Sequence, residues 1–209
     1  MSEDGPRIGP LPRDAWDDQA VAALRRGLGD EVAERFLAPD APPTPNAITT
    51  ILRHPQLFRT FFAYNGRLLS RPALEPRWRE LMVLRVAWRT QSSYEWVQHV
   101  RLAPRCGITT EEIEAIAGRT EGHPWSPLEA DLLSATDQLL DRYQVNDETW
   151  ARLAAHLDDA QLIELAFVVA TYTCLAMAFK SFGLELDPEL HDVDAPSFDD
   201  RDPTTPAAR

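Results

Sequence analysis

Helix start and stop signals follow one another from Pro55 to Gly183, and no segment shows the alternate-residue polarity of a half-buried strand. That pattern confines the chain to an all-α fold. Pro55 is placed to open a helix running to about Ser70, with Leu57, Phe58, Phe61, Phe62 and Leu68 on its apolar side. Pro76 opens the next, whose Leu81, Leu84, Val86 and Trp88 predict burial on more than one side. A third runs from about Ser92 to Cys106, with Gly107 just past its end. Thr109-Thr-Glu-Glu112 and Ser126-Pro-Leu-Glu129 are capping-box patterns, the first for a short helix ending at Gly118, the second for 127–142. Asn146 or Asp147 caps a helix to His156. Asp158 with Gln161 caps a long apolar helix that Gly183 ends, and residues 14–27 form a short amphipathic helix upstream.

The ends of the chain differ from this helical middle. Of 17 prolines, seven lie in residues 1–45 and four beyond 187, so Ala41-Pro-Pro-Thr-Pro45 reads as an extended linker. Residues 187–202 carry seven acids and one arginine, half of the net charge of −12, which predicts a mobile tail or one laid against a neighbour. The expected organisation is therefore an N-terminal helical arm and linker over 1–45, a helical domain over 46–186 and an acidic tail over 187–209.

Charge and cysteine content exclude several functions. Asp and Glu outnumber Lys and Arg by 33 to 21 with no basic stripe, which argues against nucleic-acid binding. Cys106 and Cys174 are the only cysteines, too far apart in sequence for a C-x-x-C or a zinc-ligand pair. The acidic N-terminus lacks the basic and apolar segments of a signal peptide. The apolar run 162–179 contains Glu164 and falls short of the ~20 residues a membrane span needs, so it reads as a buried helix. The expectation is a cytoplasmic protein with no membrane partner.

Chemistry concentrates between Glu80 and His99. Glu95 and His99 are four apart on one helix and share a face. Glu80 lies on the preceding helix, and a reversal within Arg89-Thr-Gln-Ser92 would return it to the same place. Two carboxylates beside an imidazole suit proton transfer, so His99, Glu80 and Glu95 are the candidate catalytic residues. Arg85 and Arg89 have the bidentate geometry to hold an anionic substrate, although a salt bridge serves them equally. Trp88, Tyr94 and Ser92 flank the turn and are placed to line a pocket. Plainer readings stand beside these. Ser92-Ser-Tyr-Glu95 also fits a capping box, which would make Glu95 part of a helix start. One histidine with two carboxylates at these spacings is a weak metal pattern, and no metal or other cofactor is expected. The tryptophans at 78, 88, 96, 125 and 150 fit core or interface positions, and His54, His123, His156 and His191 fit turns, a helix end and the tail.

The segments Arg79-Glu80-Leu-Met-Val-Leu-Arg85-Val-Ala, Tyr94-Glu95-Trp96-Val-Gln-His99 and Cys106-Gly107-Ile-Thr-Thr-Glu-Glu-Ile113 resemble the carboxymuconolactone decarboxylase family. Trp125-Ser-Pro-Leu-Glu129 and Tyr172-Thr-Cys-Leu-Ala-Met177 extend the resemblance, which covers roughly residues 48–185. It implies an alkyl hydroperoxidase D-like helical bundle that self-associates as a trimer or hexamer. Peroxidase-type members of that family use a C-x-x-C pair. Aligned on Glu80 and His99, its cysteine positions fall on Ser92 and Glu95, which excludes dithiol chemistry. The resemblance therefore points to the decarboxylase-type branch. It implies a cofactor-free enzyme acting on a small carboxylated, carbonyl or lactone substrate, with His99 as general acid/base, Glu80 as its partner and Glu95 as orienter or additional acid. The alternative is a non-catalytic binding or scaffold protein that keeps the fold.

Overall fold

The computed structural model describes residues 5–70, 72–118 and 122–200. Among them are ten α-helices and no strand. The chain divides into two compact units, Met1–Arg71 with Phe179–Asp187, and Pro72–Ala178 with Pro188–Arg209.

The first unit holds α1 (Asp18–Leu28), α2 (Asp30–Leu37), α3 (Asn46–Leu52) and α4 (Pro55–Ser70). Asp17 sets the start of α1, because its carboxylate accepts from the Ala20 amide at 2.8 Å. The helix therefore begins four residues later than the amphipathic pattern predicts, with a single 3-10 turn over Arg13–Ala15 before it. Ala20, Ala23, Leu24, Ala33, Leu52 and Phe58 form the core of this unit. Gly27 lets α1 approach α4 closely, since a Cβ there would stand 3.0 Å from the Phe58 ring. The boundary expected at residue 46 is not observed. Phe58 of α4 is fully buried in the arm's own core, so α3 and α4 belong to this unit. Residues 41–45 are irregular, as the prolines require, but α2 and α3 on either side lacked distinct signals in the sequence. Asp187 completes the unit by accepting from the Asn46 amide at 2.7 Å.

The second unit is built on α5 (Pro76–Thr90), α6 (Ser93–Leu102), α7 (Thr110–Ile116), α8 (Pro127–Arg142), α9 (Asp147–Ala154) and most of α10 (Asp159–Phe182). Helix α5 is its axis, with every residue from Arg79 to Arg89 except Arg85 buried. Both capping boxes form, at Thr109 with Glu112 and at Ser126 with Glu129. Asn146 caps α9, and Asp158 and Gln161 exchange cap hydrogen bonds at the start of α10. Arg77 ties the two capping glutamates together, donating to Glu112 at 2.5 Å and to Glu129 at 2.7 Å.

One expectation needs correction here. Composition predicts a tail that is mobile or laid against a neighbour, and residues 188–200 instead pack within the second unit of the chain itself. Trp96 Nε1 donates to the Pro196 carbonyl at 2.8 Å, and the Phe198 ring lies 4.9 Å from that of Trp88. The apolar residues spaced among the acids reach the core while the charges stay in solvent. Positions 201–209 lie outside the described residues. Helix α10 runs for 24 residues between its predicted cap at Asp158 and Gly183, six more than its most apolar run. By length and composition it could cross a membrane, although half of its apolar window is buried inside the chain.

Candidate active site

The site begins at a backbone reversal. Gln91 ends α5 in the left-handed conformation (φ 54°), unusual for a residue with a Cβ. The Ser92 amide then donates back to the Ala87 carbonyl at 3.0 Å, closing the helix end as α6 starts. This turn folds α6 back along α5 and brings His99 to Glu80. His99 Nδ1–H donates to Glu80 Oε1 at 2.7 Å. Both side chains are largely buried, His99 keeping 12% exposure and Glu80 5%. Tyr172 on α10 meets the His99 ring edge-on, with centroids 5.2 Å apart. Burial, the negative charge of Glu80 and that of Glu95 together hold the Tyr172 phenol well above its ordinary range, so it stays protonated.

Glu95 occupies a different environment. It is 3% exposed, and neither of its carboxyl oxygens has a hydrogen-bond partner. Burial pushes it up to about 7, with the nearby Ser92 hydroxyl and the charge at His99 pulling the other way. The capping box predicted as its plainer role is not formed. Ser92 is the N-cap residue, but its side chain makes no cap bond and its Oγ is also buried without a partner.

The two arginines expected near a substrate carboxylate are committed elsewhere. Arg85 donates through Nε and Nη2 to Asp137, both at 2.8 Å, and through Nη1 to the Ile116 carbonyl. Arg89 donates to Asp137 at 2.6 Å and to Asp141 at 2.7 Å. The helix repeat explains this placement. Along α5, Arg85 is turned roughly 140° from Glu80 and Arg89 roughly 180°, so both face α8. Arg85 instead lines a cavity of about 440 Å³ whose floor is Ile116, Trp125 and Leu133.

Trp88 is a core residue, 1% exposed and 5.0 Å from the Trp96 ring. Tyr94 is buried beside Glu95. Three cavities (about 440, 390 and 320 Å³) have linings that do not include Glu80, Glu95 or His99. Among the described residues, no group of three or more His, Cys, Asp or Glu side chains is arranged to hold a metal ion. Tyr172 joins the site only in the folded chain, where its ring meets that of His99. A tyrosine in a continuous apolar run carries no spacing signal toward a histidine on another helix.

This helical arrangement is an alkyl hydroperoxidase D-like fold. The chain superimposes on the crystal structure of an alkylhydroperoxidase AhpD core, an uncharacterized peroxidase-related protein from Ralstonia eutropha JMP134, with a TM-score of 0.67 and 20% identity over 88% of this chain and 94% of that one. The debrominase Bmp8, solved in complex with 2,3,4-tribromopyrrole, gives a TM-score of 0.65 at 14% identity, over 89% and 94%. An Agrobacterium tumefaciens protein described as a putative antioxidant defence protein AhpD gives 0.60 at 18%, over 66% and 94%. Within that fold, residues 55–138 match the profile of the Carboxymuconolactone decarboxylase family, whose pattern this segment carries. Comparison with curated proteins returns no match.

Proposed function

We propose that the protein is a cofactor-free acid/base enzyme of the carboxymuconolactone decarboxylase type, acting on a small carbonyl, lactone or carboxylated compound. The observation that carries this reading is the 2.7 Å hydrogen bond between His99 Nδ1 and Glu80 Oε1. A carboxylate on Nδ1 holds the imidazole in one orientation and leaves Nε2 as the nitrogen that exchanges a proton with substrate. In a decarboxylation, the bond to the leaving carbon breaks and CO2 departs. The electron pair remains as an enolate, and protonated His99 delivers a proton to its carbon. In an isomerisation, the same nitrogen removes a proton from one carbon and returns it to another. Tyr172, protonated and edge-on to the ring, packs against the imidazole. The ion pairs of Arg85 and Arg89 remove them from this reading as carboxylate clamps.

The test is turnover of a panel of small lactones, ketones and β-keto acids by the wild-type chain and by His99→Gln. A reaction that the wild type accelerates and the variant does not supports the assignment. Equal rates in both remove His99 from it. The scaffold alternative is favoured by one observation, that Glu80 and His99 satisfy each other while the three cavities lie elsewhere. It predicts no turnover across the panel.

A further inference from the structure

Arg26 on α1 and Arg59 on α4 line one cavity of about 320 Å³ in the first unit. Gly27 accounts for the convergence. The close approach of the two helices that it permits at Phe58 brings the neighbouring positions, 26 and 59, to the same cleft. Neither guanidinium has a hydrogen bond or ion pair among the described residues. Other arginines of this unit behave differently: Arg7, Arg13, Arg25, Arg35 and Arg53 each reach a carbonyl or a carboxylate. Arg67 is also without a partner among the described residues, but it does not belong to the cavity lining.

The rest of the lining adds donors and no opposing charge. The side chains of Gln19 and Gln56 make no hydrogen bond among the described residues, and no Asp or Glu belongs to the wall. Pro55 and Gln56 open α4, whose first turn carries no acid, so the positive end of that helix adds to the field of the arginines. In a chain where acids outnumber basic residues by 33 to 21, two cations thus share a cleft without a counterion.

We propose that this cavity binds a phosphate group, free or as a small monoester, through the guanidinium groups of Arg26 and Arg59 and the amides of Gln19 and Gln56. Two cations match a dianion. A guanidinium presents its donors as a planar fork, and forks from two helices can each take a pair of oxygens on one tetrahedral group. A monocarboxylate offers one charge and two oxygens, enough for only one of them. The volume exceeds that of a bare phosphate, which leaves room for the organic part of an ester. Both arginines stay exposed, so the expected Kd is modest, about 1 mM at low ionic strength, and binding should weaken as salt is raised. The cavity belongs to the first unit and His99 to the second, so the proposal goes beyond the acid/base reading and does not depend on it.

The experiment is isothermal titration calorimetry of the full chain at low ionic strength and pH about 8, where a phosphate group is mainly the dianion. The probes are inorganic phosphate, glycerol 3-phosphate and acetate at matched ionic strength. Saturable binding of the two phosphates and none of acetate is expected. Arg26→Gln and Arg59→Gln should each weaken phosphate binding about tenfold. Arg67→Gln removes the same charge from α4 outside the cavity and should leave the affinity unchanged. Circular dichroism checks that the variants fold. No saturable uptake of either phosphate up to about 20 mM overturns the site. So does acetate binding equal to that of phosphate, or a loss in Arg67→Gln as large as in the cavity variants, which would reduce the attraction to general surface charge. Tighter binding of glycerol 3-phosphate supports a monoester as the occupant, and equal constants support free phosphate.

Discussion

His99 and Glu80 lie nineteen positions apart on two helices, yet their side chains meet at 2.7 Å. The contact depends on the left-handed turn at Gln91, without which α5 would continue and carry the imidazole away from the carboxylate. A positioned acid/base typically contributes ~10²–10⁴ to a rate, so His99→Gln should lower turnover of any accepted substrate by that factor. Glu80→Gln should cost less, because an amide oxygen still accepts from Nδ1–H. Steady-state rates of the two variants give the comparison, and a Glu80→Gln loss exceeding that of His99→Gln would contradict it.

Glu95 makes stability depend on pH. An unfolded glutamate ionises near 4.5 and the folded one near 7, so between these values the native state holds one proton more than the unfolded. The contribution of Glu95 is fully present below pH 4.5 and is lost as pH rises through 7. Its full size is about 3 kcal/mol. Denaturant unfolding across this interval should show the decline, and Glu95→Gln should flatten it.

Asp137 holds two guanidinium groups, and one of them, Arg89, is only 8% exposed. Removing the carboxylate in Asp137→Ala leaves a buried cation underpaired, for an expected loss of about 3 kcal/mol. The His99 ring signals in NMR should stay in place, since these ion pairs lie on the opposite side of α5. A shift of those signals would tie the arginines to the site after all.

Phe198 anchors the tail on Trp88 and Trp96. Phe198→Ala should destabilise the fold by about 1–3 kcal/mol, less than a fully buried phenylalanine because the ring is half-exposed. Tryptophan emission should move to longer wavelength as water reaches the indoles. Unchanged emission and stability would mean that the contact contributes nothing.

Along α10, Ile163, Phe167, Ala170, Cys174 and Met177 are exposed at helical spacing, an apolar stripe that water would have to cover. The family resemblance implies self-association, and this stripe is the surface expected to serve it. Sedimentation of the wild type should give a trimer or hexamer, with Phe167→Glu shifting it toward monomer. A monomeric wild type would contradict the expectation.

The fold was legible because its helices announce themselves locally. Thr109, Ser126, Asn146 and Asp158 each cap the helix their neighbours predict, since a cap needs only residues three or four positions away. Local logic failed where a side chain had two uses. Ser92 and Glu95 carry the same capping pattern as Ser126 and Glu129, but only the second pair forms the capping box. The tail misled for a similar reason. Its net charge predicts mobility, but Phe198 and Pro196 needed only a few apolar contacts to hold it.

Amino-acid order alone determined an all-helical chain and marked a reversal near Gln91, because periodicity and turn chemistry act over short separations. Tertiary structure decided which face each α5 side chain presents, and so which charges are used up. At 100° per residue Glu80 goes to His99 while Arg85 and Arg89 go to the aspartates of α8. Only the helices packed around α5 determine what each of those faces meets.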